Sequence, residues 1–201
     1  RKIVYLFDYQ CVMKIGLYFG SFNPIHNGHL IIANYVLHNT DIEAVWFVVS
    51  PQNPFKQNHS LLNEYHRLHL VQTAIEGETR MLAIDIEFKL PKPSYTIETL
   101  TYLDEKYPDH EFSIIMGSDS LENIEKWKNG DVILKRYKIC VYERLNYPVK
   151  QIPGANIVSL KAPLIEISAS LIRKLIRDGK SIRYMVPDTV MNEILKSGYY
   201  K

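Results

Sequence analysis

An α/β fold, with an open, mostly parallel sheet and helices on both faces, is predicted by three features of this 201-residue sequence. Short apolar runs alternate with amphipathic segments, the pattern of a parallel sheet wrapped by helices. The apolar runs barely alternate with polar residues, as strands covered on both faces require. Polar loops carrying Pro, Asn and Lys follow the second and third runs.

Taken in order, strands are expected at 15–19 (IGLYF), 44–49 (AVWFVV), 82–86 (LAIDI), 113–116 (SIIM) and 139–142 (ICVY), with a shorter sixth at 157–159 (IVS). Helices are expected at 28–38, 61–75, 96–107, 121–126, 170–178 and 189–197. Ser168 can cap the fifth helix and Gly179 can end it. The loops 50–60 and 89–95 fall at the carboxyl ends of the second and third strands, where open α/β sheets bind ligands. No repeat or low-complexity tract interrupts the pattern, so 13–201 reads as a single domain.

The chain opens with Arg1, and Met13 directly precedes the first convincing strand, so residues 1–12 are expected to be upstream or appended sequence. The alternative is a native edge strand at 3–7. Two cysteines, Cys11 and Cys140, do not make a disulfide framework, which points to a reducing cytoplasm. No apolar run is long enough to span a membrane, and no membrane partner is expected.

With 46% apolar and 23% charged residues the chain can bury a good core. A net charge of +2 gives no broad basic field, and aromatic and basic residues do not interleave, so no nucleic-acid partner is expected. Between 161 and 183, however, six Lys/Arg residues (161, 173, 174, 177, 180 and 183) face only Glu166 and Asp178. A small anionic ligand suits that better than a polymer.

The stretch "YFGSFNPIHNGHLIIANYVL" (18–37) begins as a strand and ends as a helix. A strand, a glycine turn and a helix N-terminus form an anion site, because backbone N–H groups and the helix dipole point at the ligand. Gly20 lets the chain turn and a phosphate approach, and Ser21 adds a hydroxyl. This turn carries neither GxGxxG nor GKS/GKT, and the Gly179-Lys180-Ser181 triplet downstream has Lys174 where a P-loop needs its first glycine, which excludes the dinucleotide fingerprint and the P-loop. His26 and His29 flank the helix start with Gly28 between them, so both rings can reach one phosphate site. A zinc site would want a third or fourth ligand, and none is nearby. His66 and His69 share this spacing without a glycine loop, and read as helix surface.

"GSFNPIHNGHL" resembles the G-S/T-F-D/N-P-x-H-x-G-H signature of the nucleotidylyltransferase superfamily, with Asn23 where aspartate is commoner. "EISASLIRKLIRDGK" resembles the family's second element, I-S-S/A-T/S-x-x-R, at the expected order and distance. Together they span most of the chain. The resemblance implies a Rossmann-like nucleotidylyltransferase fold, with the C-terminal helical part (about 165–201) completing the ATP site. It assigns ATP binding to Gly20, Ser21, Phe22, His26, Gly28, His29, Ser168, Ser170 and Arg173, with His29, His26 and Arg173 serving the chemistry.

"SPQNPFK" (50–56), "PSYTIETL" (93–100) and "IIMGSDSLENIEKW" (114–127) are similar to elements of bacterial nicotinate mononucleotide adenylyltransferases. That likeness implies that Tyr95 and Thr96 hold a nicotinate carboxylate, Trp127 stacks on the pyridine ring and Lys56 meets phosphate. Gly117 and Asp119 would contact the adenylate ribose. The residues themselves also allow Trp127 as a half-buried core side chain, and Thr96 or Asp119 as helix caps. Pantetheine-phosphate adenylyltransferases share the first motif, but His26 and the chain length point away from them. The implied reactants are ATP and nicotinate mononucleotide, with Mg²⁺ carried mainly by ATP phosphates and no dedicated protein metal site. A homo-oligomer is compatible with all of this. One rival is nucleotidyl transfer to another acceptor, pantetheine phosphate or the amide-form mononucleotide; a second, a noncatalytic nucleotide sensor, is disfavoured by the intact His26, Gly28, His29, Ser170 and Arg173.

Overall fold

The computed structural model describes residues 12–51 and 61–201. Six strands, β1 (Lys14–Gly20), β2 (Ala44–Val49), β3 (Met81–Ile84), β4 (Glu111–Gly117), β5 (Lys138–Tyr142) and β6 (Ile157–Leu160), form one sheet in the order β3-β2-β1-β4-β5-β6. Every pairing is parallel, as the strands' non-alternating composition demanded. All six residues of β2 are buried.

Successive side chains of each strand enter opposite layers. Tyr18, Val45, Phe47 and Ile115 pack into one layer with Ile32, Val36, Leu70, Ile172 and Val190. These come from α1 (Asn27–Asn39), α2 (Glu64–Ala74), α6 (Ala169–Arg177) and α7 (Asp188–Ser197). Ile15, Leu17, Trp46, Val48 and Ile114 fill the other layer with Leu100, Leu103 and Ile133. Those belong to α3 (Thr96–Lys106) and α5 (Gly130–Arg136), and the short α4 (Ser118–Leu121) adds Leu121. Each fully buried Leu or Ile contributes roughly 2 kcal/mol.

Because β1 lies between β2 and β4, the crossovers on its two sides run in opposite directions. The switch point therefore falls after Gly20 and Gly117, where the carboxyl ends of β1 and β4 leave a crevice.

Several boundaries differ from expectation. The second helix starts at Glu64 rather than 61, because the Asn63 side chain caps it by accepting from the Tyr65 N–H at 2.9 Å. The third strand stops at Ile84 and a single 3₁₀ turn, Ile86–Phe88, follows. The helix expected at 121–126 is instead α4 followed by a 3₁₀ turn at Ile124–Lys126. Helix α5 was not foreseen: Asn129, with φ of 52°, and Gly130 look like a plain turn. A side chain at Gly130 would collide with the Ile124 carbonyl, so glycine lets α5 start hard against the preceding turn. Ser168 caps α6, accepting from the Leu171 N–H at 3.2 Å, and Gly179 ends it with φ of +66°. The expectation for residues 1–12, the alternative strand at 3–7, Cys11 and Lys56 lie outside the described residues, apart from Val12.

Candidate active site

A cleft of about 350 Å³ opens at the switch point. Gly20, Ser21, Phe22, His26, Gly28 and His29 form one wall, and Ser168, Ser170 and Arg173 form another. Asp119, from the turn after β4, completes the set of predicted residues within it. Tyr18, Tyr142 and Arg144 also line it.

The two histidines are held in a defined arrangement. Their rings stack with centroids 3.6 Å apart and 23° between planes. Phe22 presents its edge to His29 at 5.1 Å, and Tyr18 does so at 5.9 Å. The His26 main-chain N–H donates to His29 Nδ1 at 3.3 Å. A nitrogen that accepts carries no proton, so neutral His29 bears its proton on Nε2, free to donate. Burial, the neighbouring His26 and Arg144 all push His29 well below the ordinary histidine range. Burial, with Arg144 adding to it, pushes His26 down to about 4. Both rings are therefore neutral near pH 7. His26 is 6% exposed, and its buried Nδ1 has no partner, a donor or acceptor held in reserve.

Gly28 is what allows the stack. A Cβ there would lie 3.0 Å from His26 Nδ1 and 3.1 Å from Cε1, so any side chain would push the ring aside. Gly117 has a comparable role at the end of β4: a Cβ would collide with the Asp119 carboxylate and approach Arg144 Cγ to 3.1 Å. Gly117 does not line the cleft but permits Asp119 and Arg144 to do so.

The second motif is locked to the first across 150 residues. Arg173 Nη1 donates to the Asn23 carbonyl at 2.7 Å, and Nη2 reaches Ser170 Oγ at 3.3 Å. The Asn27 N–H donates to the Met185 carbonyl at 2.8 Å, so the segment before α7 also steadies the start of α1.

Arg144 lines the cleft as well, although no motif in the sequence singled it out. Its backbone N–H donates to Ser118 Oγ at 2.8 Å, and that hydroxyl donates to the Tyr147 carbonyl at 2.5 Å, fixing the turn after β5. Among the described residues no salt bridge neutralises its guanidinium, which makes it a cation available to an anion in the cleft. Its place one residue beyond Glu143, just after a strand's carboxyl end, was the available signal.

Tyr95, Thr96 and Trp127 do not line this cleft. Tyr95 and Trp127 pack against the core layer under α3 and α5, across the sheet's carboxyl edge from the histidines. Tyr95, not Thr96, occupies the N-cap of α3, and its side chain does not cap the helix. Gly117 likewise, not Asp119, occupies the N-cap of α4. The Glu98 N–H donates to the Tyr95 carbonyl at 2.9 Å, and among the described residues the Thr96 and Ile97 N–H groups are left for another acceptor. Lys128 Nζ sits 4.6 Å from the Tyr95 ring centroid and pairs with Glu98 at 2.5 Å. Below this corner, the buried carboxylate of Glu87 accepts from Ser94 Oγ and Thr99 Oγ1, each at 2.9 Å, tying the 89–95 loop to α3. His66 and His69 are exposed on α2, as expected, with His66 Nδ1 2.9 Å from the Tyr199 hydroxyl.

Known proteins share both fold and sequence. A family model described as cytidylyltransferase-like matches residues 17–175. A protein of Cytophaga hutchinsonii named "Probable nicotinate-nucleotide adenylyltransferase" is 51% identical, the match covering 94% of this chain and 98% of the relative. One of the same name from Flavobacterium psychrophilum is 49% identical, covering 94% and 100%. The solved structure of a Plasmodium falciparum nicotinic acid mononucleotide adenylyltransferase complexed with NaAD shares the fold, with a TM-score of 0.78, 20% identity and coverage of 94% and 97%. With this fold, the paired histidines at its switch point and relatives about half identical over nearly its whole length, the chain belongs to the cytidylyltransferase-like family and, within it, to the nicotinate-nucleotide adenylyltransferases.

Proposed function

We propose that this protein transfers the adenylyl group of ATP to nicotinate mononucleotide, giving nicotinate adenine dinucleotide and pyrophosphate, a step of NAD biosynthesis. A phosphate oxygen of the mononucleotide attacks the ATP α-phosphorus, and the α–β bridging P–O bond breaks as pyrophosphate leaves. The attacking phosphate is already anionic, so no general base is needed. The site's task is to hold two repelling anions together and to stabilise charge on the α-phosphoryl and departing pyrophosphate.

The observation that carries this reading is the neutral His29 with Nε2–H free to donate, set between Arg144, Arg173 and the start of α1. His29 donates to the α-phosphoryl oxygen as its charge grows. His26 and Arg173 bind the polyphosphate, and Ser21 and the Phe22 N–H fix one phosphate. Ser168 and Ser170 offer hydroxyls, and Asp119 accepts from the ribose hydroxyls beside Gly117. Mg²⁺ would be held mainly by phosphate oxygens of ATP, with the carboxylates of Asp119 and Glu143, which line the cleft, within its reach. Bound there, it would neutralise phosphate charge and polarise the phosphoryl oxygens.

The acceptor's base lies across the sheet edge. The uncapped, positive start of α3 at Tyr95 and Thr96 favours an anionic carboxylate over a neutral amide, and Trp127 offers a flat face to the ring. Lys56 meets phosphate. Pyrophosphate release in the presence of ATP and Mg²⁺, compared between nicotinate and nicotinamide mononucleotides, tests the proposal. Release is predicted to be faster with nicotinate mononucleotide. No release with either overturns the assignment, and equal rates overturn the carboxylate site.

A further inference from the structure

Arg67 lies in the first turn of α2, between the two surface histidines His66 and His69, yet is wholly buried. It shares one helix stripe with Leu70 and Val71, both in the core. Among the described residues no carboxylate lies within ion-pair distance of it. Its guanidinium is satisfied by main-chain carbonyls instead: Nε donates to Leu62 at 2.7 Å, Nη1 to Ser21 at 2.5 Å and Ser50 at 2.8 Å, and Nη2 to Pro51 at 2.9 Å.

A buried cation is costly, and a hydrophobic side chain would fill the same space without that cost. What only a planar five-donor fork provides is fixed orientation of several carbonyls at once. One of these carbonyls belongs to Ser21, within the phosphate loop. The Ser21–Phe22 peptide is trans, so its N–H points away from its C=O. Pulling the Ser21 oxygen down onto Arg67 turns the Phe22 N–H the opposite way. Phe22 lines the cleft and holds φ of 45°, a left-handed conformation unusual for a bulky residue. Its N–H has no acceptor among the described residues.

We propose that Arg67 is a positioning residue for adenylyl transfer: by holding the Ser21 carbonyl, it sets the Ser21–Phe22 peptide with its N–H presented to the nucleotide's phosphates, and places a fixed positive charge beneath them. The Ser50 and Pro51 carbonyls bind the same fork, so the ends of β1 and β2 are held in one frame. Arg67 does not touch substrate. This role rests on the ATP-dependent reading of the cleft.

The test compares wild type with Arg67→Lys and Arg67→Met, using pyrophosphate release, calorimetric binding of a non-hydrolysable ATP analogue and thermal melting. Lysine keeps the charge but cannot hold several carbonyls. Folded Arg67→Lys, assayed well below its melting temperature, should lose roughly 10²-fold in kcat. Its KM for nicotinate mononucleotide should change less than about threefold, a split that general loosening would not produce. Near-normal kcat in folded Arg67→Lys overturns the proposal. If neither variant folds, amide exchange in the wild-type protein decides: the Phe22 N–H should become protected only when the ATP analogue binds, while Arg67 Nε–H stays protected throughout. Equal Phe22 exchange with and without the analogue overturns it. Wild type that binds the analogue but releases no pyrophosphate with any mononucleotide refutes the assigned reaction, and leaves the analogue-binding and exchange tests of Arg67 decisive.

Discussion

The His26 main-chain N–H donates to Nδ1 of His29 at 3.3 Å, and this one bond sets which nitrogen of His29 faces the cleft as a donor. The consequence is directly visible by nitrogen NMR of the ligand-free protein at pH 7. His29 Nδ1 should resonate as an unprotonated, pyridine-like nitrogen and Nε2 as a protonated one. The reverse pattern, or an imidazolium with both protonated, removes the donor assigned to transition-state stabilisation.

Burial of the two histidines also predicts a pH dependence of stability. His26 titrates near 4 in the folded protein and His29 lies well below its ordinary value, whereas an unfolded histidine titrates near 6.5. Between pH 6.5 and 4 the unfolded chain therefore takes up protons that the folded one refuses. Stability is fully present above pH 6.5 and falls as pH drops through that window, by about 3 kcal/mol for His26 alone. The melting temperature of wild type should fall more steeply over this range than that of His26→Gln. Identical slopes contradict the account.

Gly28 gives a test of geometry at little cost in folding. Gly28→Ala places a methyl group 3.0 Å from His26 Nδ1, so the ring must shift by a few tenths of an ångström. Alanine is a better helix former by about 1 kcal/mol, which offsets the local strain. Turnover should fall by roughly an order of magnitude while the melting temperature changes little. Unaltered kcat would show that the stacked pair tolerates displacement.

At the other end of the site, Thr96→Ala removes a hydroxyl beside the uncapped start of α3. A hydrogen bond to a charged group is worth about 1.5–3 kcal/mol, so KM for nicotinate mononucleotide should rise roughly tenfold or more, with little effect on that for ATP. An unchanged KM removes Thr96 from the carboxylate site.

How much of this was legible depended on whether local chain chemistry or tertiary placement set a residue's role. The phosphate loop was legible because glycine, proline and two histidines in eleven residues punctuate a strand-to-helix turn. Ser168 and Gly179 marked the ends of α6 for the same reason. Arg144 was not legible: "YERLNYP" has no such punctuation, and its chemistry comes from standing just after β5 beside the turn that follows β4. Arg67 hid in plain view within "EYHRLHL". The spacing of its histidine neighbours drew attention to the helix surface, whereas the stripe it shares with Leu70 and Val71 pointed inward. Helix α5 was not among the expected helices, because Asn129 and Gly130 serve equally well as a turn and as a tight helix start.

The central claim is that neutral His29 acts on the transition state of adenylyl transfer, and steady-state kinetics of His29→Ala tests it most directly. Its ring stacks on His26 and lies edge-on to Phe22 and Tyr18, so a circular dichroism check that the variant is folded accompanies the assay. With ATP, Mg²⁺ and nicotinate mononucleotide, kcat and kcat/KM should fall together by roughly 10²-fold or more, with both KM values near wild type. Near-normal turnover by the folded variant would contradict the account.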